Sequence, residues 1–247
     1  EARLLAERFQ QALQTLKSTK LGGQGGQRML YQLPWYMFIG APGSGKTTAL
    51  VNSGLRFPLA TSKDQAGGVG GVGGTRNCDW WFTDDAVLID TAGRYTTQDS
   101  HAQVDGSAWN TFLGLLKRFR PRQPINGVFV TLSVGDLLGF SAAERKQYAQ
   151  VVRTRVEELQ RDLGLQFPVY IMVTKCDLVA GFNEFFATLD ATQRAQVWGV
   201  TFDVGLAKRS APPAKAAFEA EVPGLVNRLN EILMARLQEE RDAQRRS

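Results

Sequence analysis

Histidine and cysteine are nearly absent: His101, Cys78 and Cys176 are the only three in 247 residues. A tetrahedral structural zinc site takes four such ligands, so that class is set aside, and the two thiols are read as reduced and cytosolic. Long hydrophobic runs are missing too. None approaches the roughly 18 residues of a membrane helix, so nothing here is expected to cross a bilayer. No signal-peptide pattern follows Glu1, and the expectation is a portion of something longer. The net charge of +5 is compatible with nucleic acid, an anionic membrane surface or neither. Lys117-Arg118-Phe119-Arg120-Pro121-Arg122 reads as a basic helix C-terminus before proline. No aromatic-basic platform accompanies it, so a nucleic-acid role is not expected. The rest of the composition, 43% apolar and 21% charged, is ordinary for a globular protein, and the length allows one large α/β domain with appendages.

The most informative segment is Gly40-Ala41-Pro42-Gly43-Ser44-Gly45-Lys46-Thr47, a full match to G-x-x-x-x-G-K-[ST]. It lies between an apolar run, Trp35 to Ile39, and a helical pattern that opens Thr48-Ala49-Leu50-Val51. In that strand, loop, helix context, backbone N–H groups from Gly40 to Thr48 curl around a phosphate and the helix start adds its positive end. Lys46 is assigned to the β- and γ-phosphates and to catalysis, and the Thr47 hydroxyl to Mg²⁺. Asp90-Thr91-Ala92-Gly93 ends a second strand. Its carboxylate would hold the Mg²⁺ hydration shell and the Gly93 N–H would touch the γ-phosphate. Thr174-Lys175-Cys176-Asp177 follows a third strand. There Asp177 can accept the paired N1–H and N2–H₂ donors of guanine, with the Lys175 stem over the base face. Each tetrapeptide is common by itself. In this order, each at the carboxyl end of a strand, they specify a nucleotide site of GTPase type. GTP/GDP against ATP/ADP stays open.

The activating residues are less defined. Thr75 follows the Gly-rich stretch Gly67 to Gly74 and is the candidate switch hydroxyl, catalytic and Mg²⁺-ligating; the alternative is a surface-turn threonine. Arg94 stands where many GTPases place a water-orienting glutamine. A guanidinium can stabilise transition-state charge but cannot act as a base, so slow hydrolysis is expected. Asp99 and His101 are further water-orienting candidates, or solvated loop residues. Trp80 and Trp81 point to opposite faces of a strand, so at most one faces outward.

Periodicity supplies the frame. Leu4, Leu5, Phe9, Ala12, Leu13 and Leu16 recur at helical steps, and Gly22 to Gln27 breaks that helix. Cys78 to Thr83 and Ala86 to Ile89 read as antiparallel strands around an Asp84-Asp85 turn. Gly127 to Leu132 and Val169 to Val173 are continuous apolar runs, the pattern of buried parallel strands. Ser141 with Glu144 forms a capping box that opens a helix from Ala142 to Leu163. A last helix is expected from about Pro223 to Arg241. The predicted fold is α/β: a P-loop NTPase with a Ras-like, doubly wound sheet, one antiparallel strand and helices on both faces. The domains expected are 1–27 (helix and linker), 28–205 (GTPase-like domain) and 206–247 (helical extension).

Leu33 to Leu59, Gly73 to Tyr95 (with TRNCDWWF), Asn126 to Leu138, Phe167 to Phe186 and Gln196 to Phe202 (with VWGVTF) resemble the IcmF/TssM family of the bacterial type VI secretion system. The resemblance covers about residues 30 to 205 well. It implies the cytoplasmic domain of an inner-membrane protein, tethered through a membrane hairpin that Glu1 to Lys20 would leave. It implies as partners TssL, TssJ through a periplasmic part, and the baseplate. Nucleotide binding is implied for some members; here Gly40, Gly45, Lys46, Thr47, Asp90 and Gly93 match. Lys175 and Asp177 match less firmly, because Thr174 stands where guanine sites commonly have asparagine. Ser210-Ala211 is a weak candidate for the last base loop. A signal-recognition-type targeting GTPase shares DTAGR and TKxD, but its methionine-rich partner segment is missing from a chain with four methionines.

Overall fold

The computed structural model describes residues 3, 6, 7, 9–11, 13, 14, 30–57, 78–97, 102–202 and 213–239. Thr75, the Gly67 to Gly74 stretch, Asp99, His101, the Gly22 to Gln27 joint and Ser210-Ala211 lie outside the described residues. The chain divides into two compact units, Glu1–Cys176 and Asp177–Ser247.

In the first unit, strands β1 (Trp35–Ile39), β2 (Cys78–Phe82), β3 (Val87–Thr91), β4 (Gly127–Ser133) and β5 (Val169–Thr174) form one sheet in the order β2-β3-β1-β4-β5. Only β2 runs antiparallel, paired with β3 from Cys78↔Thr91 to Phe82↔Val87. The turn between them is closed by Thr83, whose hydroxyl accepts from the Asp85 and Ala86 N–H groups. β1 pairs in parallel with both β3 and β4, so its carboxyl end lies between two other strand ends. The helices α1 (Lys46–Val51), α2 (Gly93–Thr97) and α4 (Val134–Gly139) are the next elements in the chain after β1, β3 and β4, with α1 reached through a six-residue loop.

Alternation along β1 sorts the core. Trp35, Met37 and Ile39 pack with Trp80, Ile89 and Val128 on one face. That face is covered by α3 (Ala102–Phe119) through Trp109, Phe112 and Leu116, by α5 (Ala142–Leu163) through Leu159 and Leu163, and by Phe9 and Leu13 of the N-terminal helical residues. Phe38, Trp81 and Leu88 look the other way, with Leu50 of α1 and Phe57 against them. Trp80 and Trp81 thus take opposite faces as expected, but both are buried: Phe57 meets the Trp81 ring edge-on at 5.5 Å. The capping box also forms. Ser141 N–H donates to Glu144 Oε2 at 2.7 Å, Glu144 N–H donates to Ser141 Oγ at 3.3 Å, and Gly164 ends α5 in the left-handed region. β5 departs from expectation. Its continuous apolar sequence reads as an interior strand, yet it is the sheet's edge and Ile171 is 69% exposed.

The second unit holds the short helices α6 (Phe182–Phe186) and α7 (Ala191–Arg194) and the long α8 (Pro213–Glu239). Helix α8 starts ten residues earlier than the expected Pro223, which sits inside it. Proline favours a helix's first turn, but the alanine-rich turns before it are strong helix formers and only one backbone bond is forfeited at the proline. Among the described residues no helix is long and apolar enough to cross a membrane.

Candidate functional site

The loop from Gly40 to Gly45 leaves β1 and turns into α1. Gly45 caps that helix with φ +86°, a left-handed conformation that a side chain disfavours. Lys46, the first helical residue, folds back over the loop: its Nζ donates to the Gly40 carbonyl at 2.9 Å and the Ala41 carbonyl at 3.0 Å, and lies 3.5 Å from Ser44 Oγ. Burial pulls its pKa down to about 8, and the nearby Asp90 carboxylate opposes that shift. A buried ammonium held by loop carbonyls is suited to exchange them for phosphate oxygens.

Thr47 and Asp90 meet directly. The hydroxyl donates to Asp90 Oδ2 at 2.5 Å, and the carboxylate is fully buried at the end of β3. Two hard oxygens at the mouth of this loop fit a Mg²⁺ site, which takes one or two protein oxygens and otherwise water and phosphate. Gly93, three residues on, touches the loop by backbone. A Cβ there would stand 2.3 Å from Pro42 N and 2.7 Å from Ala41 C, so only glycine allows this approach. The two sequence motifs are therefore one structure.

Four further side chains brace the loop. The Gly40 N–H donates to Thr96 Oγ1 of α2 at 3.0 Å, and the Ala41 N–H donates to Tyr148 Oη of α5 at 3.1 Å. Burial pushes the Tyr148 phenol up, so it stays protonated. Ser44 Oγ and Thr131 Oγ1 of β4 share a hydrogen bond of 2.7 Å. Thr174 donates to the Ser44 carbonyl at 2.6 Å and lies 3.2 Å from the Leu132 carbonyl. Thr174 therefore ties the end of β5 to the Gly40–Gly45 loop, and its hydroxyl is engaged by backbone. Removing it as Thr174→Val keeps the shape and orphans a buried carbonyl. The expected result is a loss of roughly 1–2 kcal/mol in chemical denaturation.

Of these braces, Thr96, Thr131 and Tyr148 went unread in the sequence, since each is defined by a partner 56 to 107 residues away. Thr131 carried one signal, as the lone polar residue in the apolar run of β4. Asp79 carried the same signal in β2. It is buried and directly opposite Asp90 in the antiparallel register, which puts two carboxylates on one face beside the loop.

The remaining assigned residues lie on other elements. Lys175 is the one non-glycine with positive φ (58°) among the described residues, an uncommon conformation that marks the loop after β5. Asp177 follows in a 3₁₀ turn, Cys176–Leu178, with its carbonyl accepting from Asn183 Nδ2 at 3.5 Å. Arg94, on α2, reaches Asp105 of α3, N to O 3.7 Å, and its guanidinium lies 5.1 Å over the Tyr95 ring.

The family model described as IcmF-related N-terminal domain matches residues 102–247. The chain is also similar to the type VI secretion system component TssM1 of Pseudomonas aeruginosa, with 57% identity over 246 residues. That alignment covers the whole of this chain and 22% of the relative, so the chain spans about a fifth of that protein's length. By a family match over more than half its length and an identity of that size end to end, the chain belongs to the IcmF/TssM family.

Proposed function

We propose that this chain is a nucleoside triphosphate-binding domain of the Ras-like P-loop type, acting as a slow conformational switch in a type VI secretion membrane complex. The observation that carries this reading is the joined site: Lys46 over the loop, Thr47 bonded to Asp90, and Gly93 against Pro42. The sheet order β2-β3-β1-β4-β5 with β2 antiparallel supports it. In this reading Lys46 moves its N–H donors from the Gly40 and Ala41 carbonyls to phosphate oxygens. Thr47 and Asp90 would hold Mg²⁺, which when bound would neutralise charge on the β- and γ-phosphates. The Gly93 N–H meets the γ-phosphate. Thr75 would be a further hydroxyl for the metal, and Lys175 and Asp177 would be the contacts to a guanine base. Slow hydrolysis follows from Arg94, which cannot orient water as a base. The full-length protein would be tethered in the inner membrane, with this domain on the cytoplasmic side and TssL, TssJ and baseplate components as partners.

A second reading, an interaction scaffold with a GTPase-like fold and negligible turnover, is favoured by the engagement of Arg94 with Asp105 in place of a water-orienting glutamine. Equilibrium binding of fluorescent GDP, GTP and ATP analogues with Mg²⁺, for the native chain and Asp177→Asn, separates the possibilities. A GTP preference that the variant exchanges for xanthine nucleotide supports guanine reading. ATP binding untouched by the variant makes the domain an ATP-binding one. Absence of binding at millimolar nucleotide leaves only the scaffold.

A further inference from the structure

The peptide between Gly40 and Ala41 is held at both of its ends. Its oxygen accepts from the Lys46 ammonium at 2.9 Å, and its N–H donates to Tyr148 Oη at 3.1 Å. Glycine is required at position 40, because a Cβ there would stand 2.3 Å from Thr131 Oγ1 and 2.7 Å from the Thr131 carbonyl. A glycine leaves the next peptide plane little steric preference, so hydrogen bonds fix which way the Gly40 carbonyl faces. The groups on either side are occupied as well: the Gly40 N–H by Thr96, and the Ala41 carbonyl by Lys46 and by the Ser44 N–H at 3.1 Å. Two N–H groups expected to face a phosphate, those of Gly40 and Ala41, are thus spent on Thr96 and Tyr148, and Lys46 is the cation at this end of the loop.

Tyr148 is built to hold that peptide. It stands on α5, a helix of 22 residues seated in the core through Leu159 and Leu163, and its ring meets Phe140 edge-on at 6.1 Å. Burial pushes the phenol up, against the opposing effect of the Ala41 N–H. The hydroxyl stays neutral, so it accepts from the peptide without drawing the Lys46 ammonium off the carbonyl, as a phenolate would.

We propose that Tyr148 is a positioning residue for Lys46: by holding the Ala41 N–H it keeps the Gly40 carbonyl turned to the ammonium, which is thereby set in place before a phosphate arrives. The inference rests on the nucleotide-binding reading above. A donor already in place costs less ordering when the ligand binds, and affinity rises by that saving. With the hydroxyl gone the peptide turns, Lys46 keeps only the Ala41 carbonyl and the longer contact to Ser44, and a phosphate must first gather the ammonium in. Helix α5 acts on the ligand through the loop, without touching it.

The test is affinity for a non-hydrolysable GTP analogue with Mg²⁺ (the ATP counterpart if the site takes adenine), read beside the nitrogen resonance of the Lys46 ammonium and the exchange of the Ala41 amide. Tyr148→Phe keeps the ring and removes the acceptor. It should weaken the analogue about fivefold, the effect of one hydrogen bond. The Ala41 amide should exchange faster and the Lys46 signal should broaden in the unliganded protein, while the Ser44 amide is unchanged. A tyrosine that only packs α5 would move neither signal. Should Tyr148→Phe not fold, the native chain decides: slow exchange of the Ala41 amide supports the assignment, and exchange as fast as an open loop amide overturns it. Native chain that binds the analogue, with Tyr148→Phe within about twofold of it or weaker with an unchanged Lys46 signal, overturns the positioning role and leaves the binding reading intact. Native chain that binds no nucleotide overturns both.

Discussion

Lys46→Met is expected to weaken triphosphate binding by roughly 100-fold or more while leaving the unliganded protein within about 1 kcal/mol of its parent at pH 7.5. The two halves of that expectation have one cause. Lys46 is a buried ammonium whose partners in the unliganded protein are neutral carbonyls and a hydroxyl. The carbonyls stabilise the charge less than water does, and burial accordingly lowers its pKa from 10.5 to about 8. Methionine removes the buried charge and the donors together, so the desolvation penalty and the lost hydrogen bonds largely offset each other. Phosphate, in contrast, loses a charge-assisted partner with nothing in return.

The sign of the pH dependence follows. Between about pH 8 and 10.5 the unfolded chain keeps a proton on Lys46 that the folded chain has released. Stability therefore rises with pH across that window, by about 2 kcal/mol after discounting for relaxation, and the penalty is fully present below pH 8. Lys46→Met should lack that rise in urea titrations from pH 7.5 to 10. Phosphate binding runs the opposite way: it needs the ammonium, so affinity should fall by up to tenfold per pH unit above 8. A variant that still binds triphosphate within threefold of the parent would remove Lys46 from the site.

The second large effect is expected from Gly93→Ala. The added Cβ would stand 2.3 Å from Pro42 N and 2.5 Å from Pro42 Cα. Both are backbone atoms, and Pro42 is held within a loop braced by Thr96, Tyr148, Thr131 and Thr174, so it has little freedom to retreat. A cost of roughly 3 kcal/mol is expected, about a 10 °C fall in melting temperature. Nucleotide binding should fail even at temperatures where the variant is folded, because the shift displaces the Gly40 and Ala41 carbonyls that position Lys46. Gly164→Ala is the control. Its Cβ meets nothing within 4 Å, and its φ of +70° adds only local backbone strain far from the loop in sequence. Equal losses of nucleotide affinity in the two variants would show that the Gly93 contact does not organise the site.

Local order was legible in the sequence wherever it depends on neighbours a few residues away. The Ser141–Glu144 box formed as expected because both bonds span three residues, and the strands from Trp35, Cys78 and Gly127 formed because apolar runs with β-branched and aromatic residues have few alternatives. Pro223 misled for the complementary reason. Its local preference was outweighed by the helix formed around it.

The sequence by itself determined the family, the glycine-lysine loop pattern and which segments are strands, since each is a matter of residue type at fixed spacing. Only the tertiary structure decided that Thr174 braces Ser44, that Asp79 stands opposite Asp90, that β5 is an edge, and that Arg94 is tied to Asp105. Those facts depend on which distant segments meet. A hydroxyl or a carboxylate has the same one-letter code whether it faces water or a buried partner, and burial alone turns it from a solvated side chain into a constraint on the site.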